Sequence, residues 1–186
     1  MEHYYQNIQG WFDFENVYRN FIEKSSDGAK IVEVGSWMGK SSVFMAVEIL
    51  NSKKNIELFC VDTWEGTLNS EHHAEIIKNI GGDLYSIFLK NIEPVKHIII
   101  PIIKSSILAS EDFADDSLDI VFLDAGHSLE DVTADINAWK PKIKKGGIIA
   151  GHDYGEPCGV KQAVDDLIGE NNITIKGTAW IHNISC

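Results

Sequence analysis

Basic residues are scarce: 16 Lys and Arg stand against 28 Asp and Glu, a formal net charge of -12. Such a field repels a phosphate backbone, and no Lys/Arg cluster is dense enough to reverse it locally, so neither nucleic acid nor an anionic membrane is an expected partner. The acidic surplus reads as solubility. Cysteines are few, at three, and Cys60, Cys158 and Cys186 are scattered without CxxC spacing. This excludes a disulfide framework and predicts reduced thiols in a cytoplasmic protein, with Cys60 as a small apolar filler in a strand. Long hydrophobic runs are missing: a stretch such as Ile98–Ile103 is far too short to cross a bilayer. The opening MEHYYQNIQG has no basic n-region and no apolar h-region, so no secretory signal is expected. Repeats, linkers and low-complexity segments are absent as well. With 44% hydrophobic and 24% charged residues the chain is expected to fold as one domain over residues 1–186.

What is present is alternation. Trp11, Phe14, Tyr18, Phe21 and Ile22 recur at helical spacing and predict an amphipathic helix, with residues 1–28 forming an N-terminal helical cap. Trp11 and Trp139 are read as core. Strands are predicted at Ile31–Val34, Ile56–Val61, His97–Ile103, Leu118–Leu123 and Ile148–Ala150, the last entered through a turn at Lys144–Gly147. Helices are expected between them: Ser41–Leu50, two in residues 68–91 split by Gly81-Gly82, one capped by Ser128 with Asp131, and one with Pro157 as its first residue. Two short strands, Ile173–Lys176 and Trp180–Ile184, close the chain. Apolar strands separated by helices predict an α/β fold whose sheet is mostly parallel, with helices on both faces and a C-terminal antiparallel strand. In such sheets ligands sit beyond the carboxyl ends of the strands, which singles out Gly35 onward, Asp62, Ser105, Asp124 and Asp153.

The first of these loops reads Glu33-Val-Gly35-Ser-Trp-Met-Gly39-Lys-Ser-Ser. Gly35 permits a sharp turn off the strand, and Gly39 is expected to let backbone approach a ligand. The middle glycine of a G-x-G-x-x-G fingerprint is missing, which argues against a nicotinamide oxidoreductase; the upstream glycine of a P-loop is missing too. Glu33 suits a cationic ligand such as an amino group or sulfonium. Asp62 ends the second strand, where an acid accepts hydrogen bonds from ribose hydroxyls; an Asx turn is the alternative.

EVGSWMGKSS, VDTWEG and SLDIVFLDAGHSLEDVTADINAWKPKIKKGGIIAGHDY together resemble the class I methyltransferases, in particular the small bacterial methyltransferase domain 24 family. That family is related to the catechol-type and macrolide-sugar O-methyltransferases. The resemblance runs from Ile31 to Leu167 and implies a Rossmann-like fold that uses S-adenosyl-L-methionine. It implies that Glu33, Gly35, Ser36 and Gly39 hold the methionine part and Asp62 the ribose. Ser105 and Ser106 would lie near adenine, with Trp64 packed on it and Asp124 also beside the cofactor. Asp124, His152 and Asp153 match positions where metal-dependent relatives carry ligands for Mg2+ or another divalent cation. His127 matches the general base of the catechol-type enzymes. The chain departs from those enzymes in having His152-Asp153 where they carry an Asp-Asn pair. A metal-free arrangement, with His127 and His152 orienting Asp124 and Asp153, is the alternative.

These readings predict a methyltransferase acting on a hydroxyl of a small molecule: a sugar, a glycosylated natural product or a catechol-like compound. Two rivals stay open: a metallohydrolase built on Asp124, His127, His152 and Asp153, and a non-catalytic nucleoside-binding protein. Residues 68–91 are the only segment that looks available as a substrate cover. The pocket is therefore expected to be open, or completed by a second subunit in a homodimer.

Overall fold

The computed structural model describes residues 1–66 and 71–185. In chain order the elements are α1 Glu15–Lys24, β1 Lys30–Val34, α2 Lys40–Ser52, β2 Glu57–Asp62, α3 Glu71–Asn79, α4 Leu84–Ile92, β3 Ile99–Ile103, α5 Ser106–Ser110, β4 Leu118–Leu123, α6 Leu129–Trp139, β5 Ile143–Gly151, α7 Val160–Leu167, β6 Thr174–Lys176 and β7 Ala179–Asn183. The strands form one Rossmann-like sheet in the order β3-β2-β1-β4-β5-β7-β6. The first five strands in that order pair in parallel, and β5, β7 and β6 pair antiparallel. The chain steps from β1 outward to β2 and β3, then returns to the other side of β1 as β4 and β5. That reversal opens a crevice at the carboxyl ends of β1 and β4.

Period-2 alternation assigns the strand side chains to two cores, one on each face. Ile31, Leu58, Cys60 and Phe122 pack against α1, α2 and α4 through Tyr18, Phe21, Phe44 and Phe88. Val32, Val34, Val61 and Val121 pack against α5, α6 and α7 through Ala109, Trp139 and Val164. Helix α2 is buried around most of its surface, from Ser41 to Val47 and at Ile49, because the sheet, α1 and α4 all press on it.

Several local expectations are corrected. Helix α1 starts at Glu15, so Trp11 lies outside it and is 54% exposed rather than core. Lys144–Gly147 is not a turn ahead of a strand but part of β5: the register with β4 shifts between Leu118 and Ile120, and four β5 residues are absorbed as an irregularity. Pro157 stands in the turn before α7, whose N-cap is Gly159. Residues 68–91 do split at Gly81-Gly82, both at positive φ, but α4 belongs to the core through Leu84, Phe88 and Ile92. Among the described α-helices only α3 has no buried residue; Leu68, like Cys186, lies outside the described residues. No described helix is long and apolar enough to cross a membrane.

Candidate functional site

The loop after β1 is built around a buried carboxylate. Glu33 shares the strand face of Ile31, so its side chain enters the core under the start of α2 instead of the crevice. It is fully buried there. The Tyr18 hydroxyl donates to its Oε1 at 2.9 Å; Ser36 donates to Oε2 at 2.8 Å, and Ser42 donates to the same oxygen. Burial raises the Glu33 pKa, and the surrounding hydroxyls oppose that rise. The expected contact of Glu33 with a cationic ligand is therefore not the arrangement found: its carboxylate ties the loop down from below. Tyr18, the anchor from α1, carries no signal in the sequence beyond its helical spacing with Phe14, Phe21 and Ile22.

Gly35 has φ 92°, and a Cβ there would stand 2.0 Å from the Asp124 carbonyl oxygen. Only glycine lets the loop pass this close to the end of β4. Its N–H donates to Val61 O at 2.8 Å, which locks the loop to β2 as well. Gly39, at φ 86°, is needed for a different reason than expected. A Cβ there would meet Phe88 and Ile92 at 3.1 and 3.2 Å, so it accommodates α4 rather than a ligand. Gly35 and Ser36 line the cavity; Glu33 and Gly39 do not.

Asp62 ends β2 and lines the same cavity. Its Oδ2 accepts from Trp37 N at 2.8 Å and its Oδ1 from Trp64 N at 2.7 Å. Burial raises its pKa, and these backbone donors hold it back. Each oxygen keeps a further lone pair for a hydroxyl donor. Trp64 does not face the crevice. At 6% exposure it packs on Tyr85 and Phe88, and its Nε1 donates to Trp37 O at 2.8 Å. Its expected stacking on adenine is replaced by a core role.

Ser105 and Ser106, at the start of α5, do line the cavity, and Ser106 Oγ accepts from Trp139 Nε1 at 2.9 Å. Beside them lies Asp135 of α6, 5% exposed, its pKa pushed up to about 6 by burial against a hydrogen bond from Ser106. The sequence reading missed it, although a signal existed: Asp135 falls on the buried stripe of Val132, Ile136 and Trp139.

The same cavity holds an ionic cluster at the carboxyl ends of β4 and β5. His127 Nε2 lies 2.7 Å from Asp153 Oδ2 and 3.8 Å from Asp124 Oδ1. His152 Nδ1 lies 3.2 Å from Asp153 Oδ1 and 3.4 Å from Asp124 Oδ1. Asp124 and Asp153 push the His127 pKa up to about 10. Burial works to lower His152, but the same carboxylates outweigh it and push it up to about 11. Burial acts to raise Asp153, and the two imidazoles hold it well below the usual carboxylate range instead. Asp124, His152 and Asp153 each offer a ligand atom, all within 4.8 Å of one another and all half-buried. Two carboxylates and an imidazole so gathered fit a divalent cation. Asp13, which precedes α1, joins this cluster through His152 Nε2 at 2.9 Å; no local pattern marks it in the sequence.

All these groups line one cavity of about 650 Å³, a volume suited to a small molecule. Part of its wall is aromatic: Trp11, Trp37 and His73 line it, with His73 4.6 Å from the Trp37 ring and 5.7 Å from the Trp11 ring.

A parallel sheet with its order reversing at β1, a glycine turn pressed on β4 and an acid at the end of β2 form the ligand crevice of a Rossmann-like fold. Residues 32–154, well over half of the chain, match the methyltransferase domain family, and the chain belongs to it. A Sinorhizobium fredii protein, y4gI, is 27% identical over 124 residues, covering 67% of this chain. The matched stretch spans only 13% of that relative's length. Among solved structures, the O-methyltransferase NovP superposes with a TM-score of 0.64 at 17% identity, covering 92% of this chain and 79% of its own. A SAM-dependent O-methyltransferase from Thermotoga maritima gives 0.63 at 11% identity, covering 96% and 68%. At these identities the likeness establishes the fold.

Proposed function

We propose that this chain transfers a methyl group from S-adenosyl-L-methionine to a hydroxyl oxygen of a small molecule such as a sugar, a glycosylated natural product or a catechol-like compound, with a divalent cation held by Asp124, His152 and Asp153. The observation that carries this reading is the single cavity that joins Gly35, Ser36 and Asp62 to the cluster of Asp124, His127, His152 and Asp153. The O-methyltransferases among its structural relatives support the choice of oxygen as acceptor.

The cofactor supplies an electrophilic methyl group whose leaving group is a neutral thioether, so the chain has to align the reactants and remove the hydroxyl proton. Asp62 accepts from the ribose hydroxyls through the lone pairs that its backbone donors leave over. Ser105 and Ser106 flank the adenine. A divalent cation, when bound, lowers the pKa of a hydroxyl it coordinates and fixes its direction. In the free chain His127 is an imidazolium at neutral pH, because the two carboxylates hold its proton. His127 accepts the hydroxyl proton only when the charge on Asp124 and Asp153 is compensated from elsewhere. His73 also lines the cavity, and burial, with His72 and His127 nearby, lowers its pKa.

Ligand-induced stabilisation tests the reading. S-adenosylmethionine and its demethylated product should raise the melting temperature, and NAD and ATP should not, since preferential binding to the folded state stabilises it. Asp62→Ala should weaken cofactor binding by roughly 1–3 kcal/mol. Stabilisation by NAD alone would overturn the cofactor assignment, and unchanged affinity in Asp62→Ala would remove the ribose role.

A further inference from the structure

We propose that Asp13 orients His152 as a metal ligand through Nδ1, and that the resulting set with Asp124 and Asp153 selects a transition-metal dication such as Mn2+ or Co2+ over Mg2+. This deepens the cation part of the function proposed above and rests on it.

An imidazole has two nitrogens, and which one is open to a cation is decided by what the other is bonded to. Asp13 Oδ1 lies 2.9 Å from His152 Nε2. An ionised carboxylate only accepts, so Nε2 carries a hydrogen and points it at Asp13. The nitrogen left for a cation is Nδ1, which gives up its proton when the ion binds. That nitrogen faces the ring's other two neighbours, Asp124 Oδ1 at 3.4 Å and Asp153 Oδ1 at 3.2 Å. The ring has little freedom to swing away: Phe14 packs on it with 4.8 Å between centroids.

Asp13 is itself held. Thr178, in the turn between β6 and β7, places its Oγ1 3.2 Å from each carboxylate oxygen. The Thr178 carbonyl in turn accepts from Tyr154 N at 2.8 Å, next to Asp153 in the chain. The chain from Thr178 through Asp13 to His152 thus ties the segment before α1 and the C-terminal hairpin to the end of β5. Asp13 is also 61% exposed at its side chain, so it stabilises no core whose loss would mimic a loss of ligand geometry.

The donor set decides the class of ion. Mg2+ demands hard oxygen ligands in a near-ideal octahedron and keeps much of its water. An imidazole nitrogen beside two carboxylates suits first-row transition dications, which bind nitrogen better than Mg2+ does, with affinity rising from Mn2+ to Co2+. Fixing Nδ1 toward the carboxylates makes that nitrogen a permanent member of the set.

The test uses the full chain stripped of metal and titrated with Co2+, Mn2+ and Mg2+ in the absence of cofactor. Binding is read by calorimetry and, for Co2+, by its visible absorption. Wild type should bind Co2+ and Mn2+ roughly 10-fold or more tighter than Mg2+. Asp13→Ala should weaken Co2+ by about 10–100-fold and change its spectrum. Asp13→Asn should recover most of the affinity, because its amide oxygen still accepts from Nε2. Thr178→Val should shift affinity in the same direction by less, and serves if Asp13→Ala melts early. Mg2+ binding as tight as Co2+, or wild-type Co2+ affinity in both Asp13→Ala and Thr178→Val, overturns the proposal alone. A wild type that binds none of the three ions overturns it together with the cation in the proposed reaction. Stabilisation by S-adenosylmethionine would then still stand as a separate result.

Discussion

The loop after β1 and the rim formed by the ends of β4 and β5 line one cavity side by side, yet they are held by different means. The loop is fixed from below. Its carboxylate is buried among hydroxyls from Tyr18, Ser36 and Ser42, and its turn presses on the backbone of Asp124. The rim is half-exposed, and its groups are held by one another's charges: His127 and His152 against Asp124, Asp153 and Asp13. A surface that must present the same shape to a cofactor on every encounter gains from burial, which removes alternative conformers. A surface that must take up or release a proton needs groups whose charge balance an arriving ligand can change.

The largest effect that would test this contrast lies in the loop. Gly35→Ala places a methyl group 2.0 Å from a backbone oxygen at φ 92°, with no flexible side chain to yield. A destabilisation above about 4 kcal/mol is expected in denaturant titration, in the class of severe backbone and packing defects. A folded, cofactor-binding Gly35→Ala protein would show that the loop is not pinned to β4. The rim should answer differently. His127→Ala should keep its cofactor affinity and lose methyl transfer by roughly 10²–10⁴ in rate, the usual range for loss of a general base. If His127→Ala turns over normally while His73→Ala does not, the proton acceptor is His73 and the catalytic rim shifts to α3.

The smallest effect is the pH dependence of stability, and its sign follows from the raised pKa of His127. The folded chain holds that proton up to about pH 10, the unfolded chain only to about 6.5. The stabilising contribution is therefore complete below pH 6.5, declines as pH rises, and is lost by pH 10. With the ring part-exposed, solvent screening keeps it modest. Melting temperatures of wild type should fall more steeply between pH 7 and 10 than those of His127→Ala. Parallel curves would mean that the ion pair with Asp153 contributes nothing in solution.

Much of the site was legible because its residues end apolar runs. Strand boundaries come from short-range patterning, and the reversal of strand order puts Gly35, Asp62, Asp124 and Asp153 at one edge. Where the reading failed, a side chain faced the other way. Glu33 follows strand alternation into the α2 face, Gly39 accommodates α4, and Trp64 turns into the core on Tyr85 and Phe88. Trp11 shows the same gap in reverse: its helical spacing continued a pattern that the backbone abandons before Glu15.

The sequence by itself determined the alternation of strands and helices, the parallel character of the sheet and the side chains that close each strand. These follow from periodicity and from glycine's freedom of φ, which are properties of a few consecutive residues. Only the tertiary structure decided that Asp13 meets His152, that Asp135 and His73 line the cavity, and that Glu33 supports the loop from within the core. Each of those facts is a contact between segments far apart in the chain, and packing of the whole sheet and its helices sets such contacts.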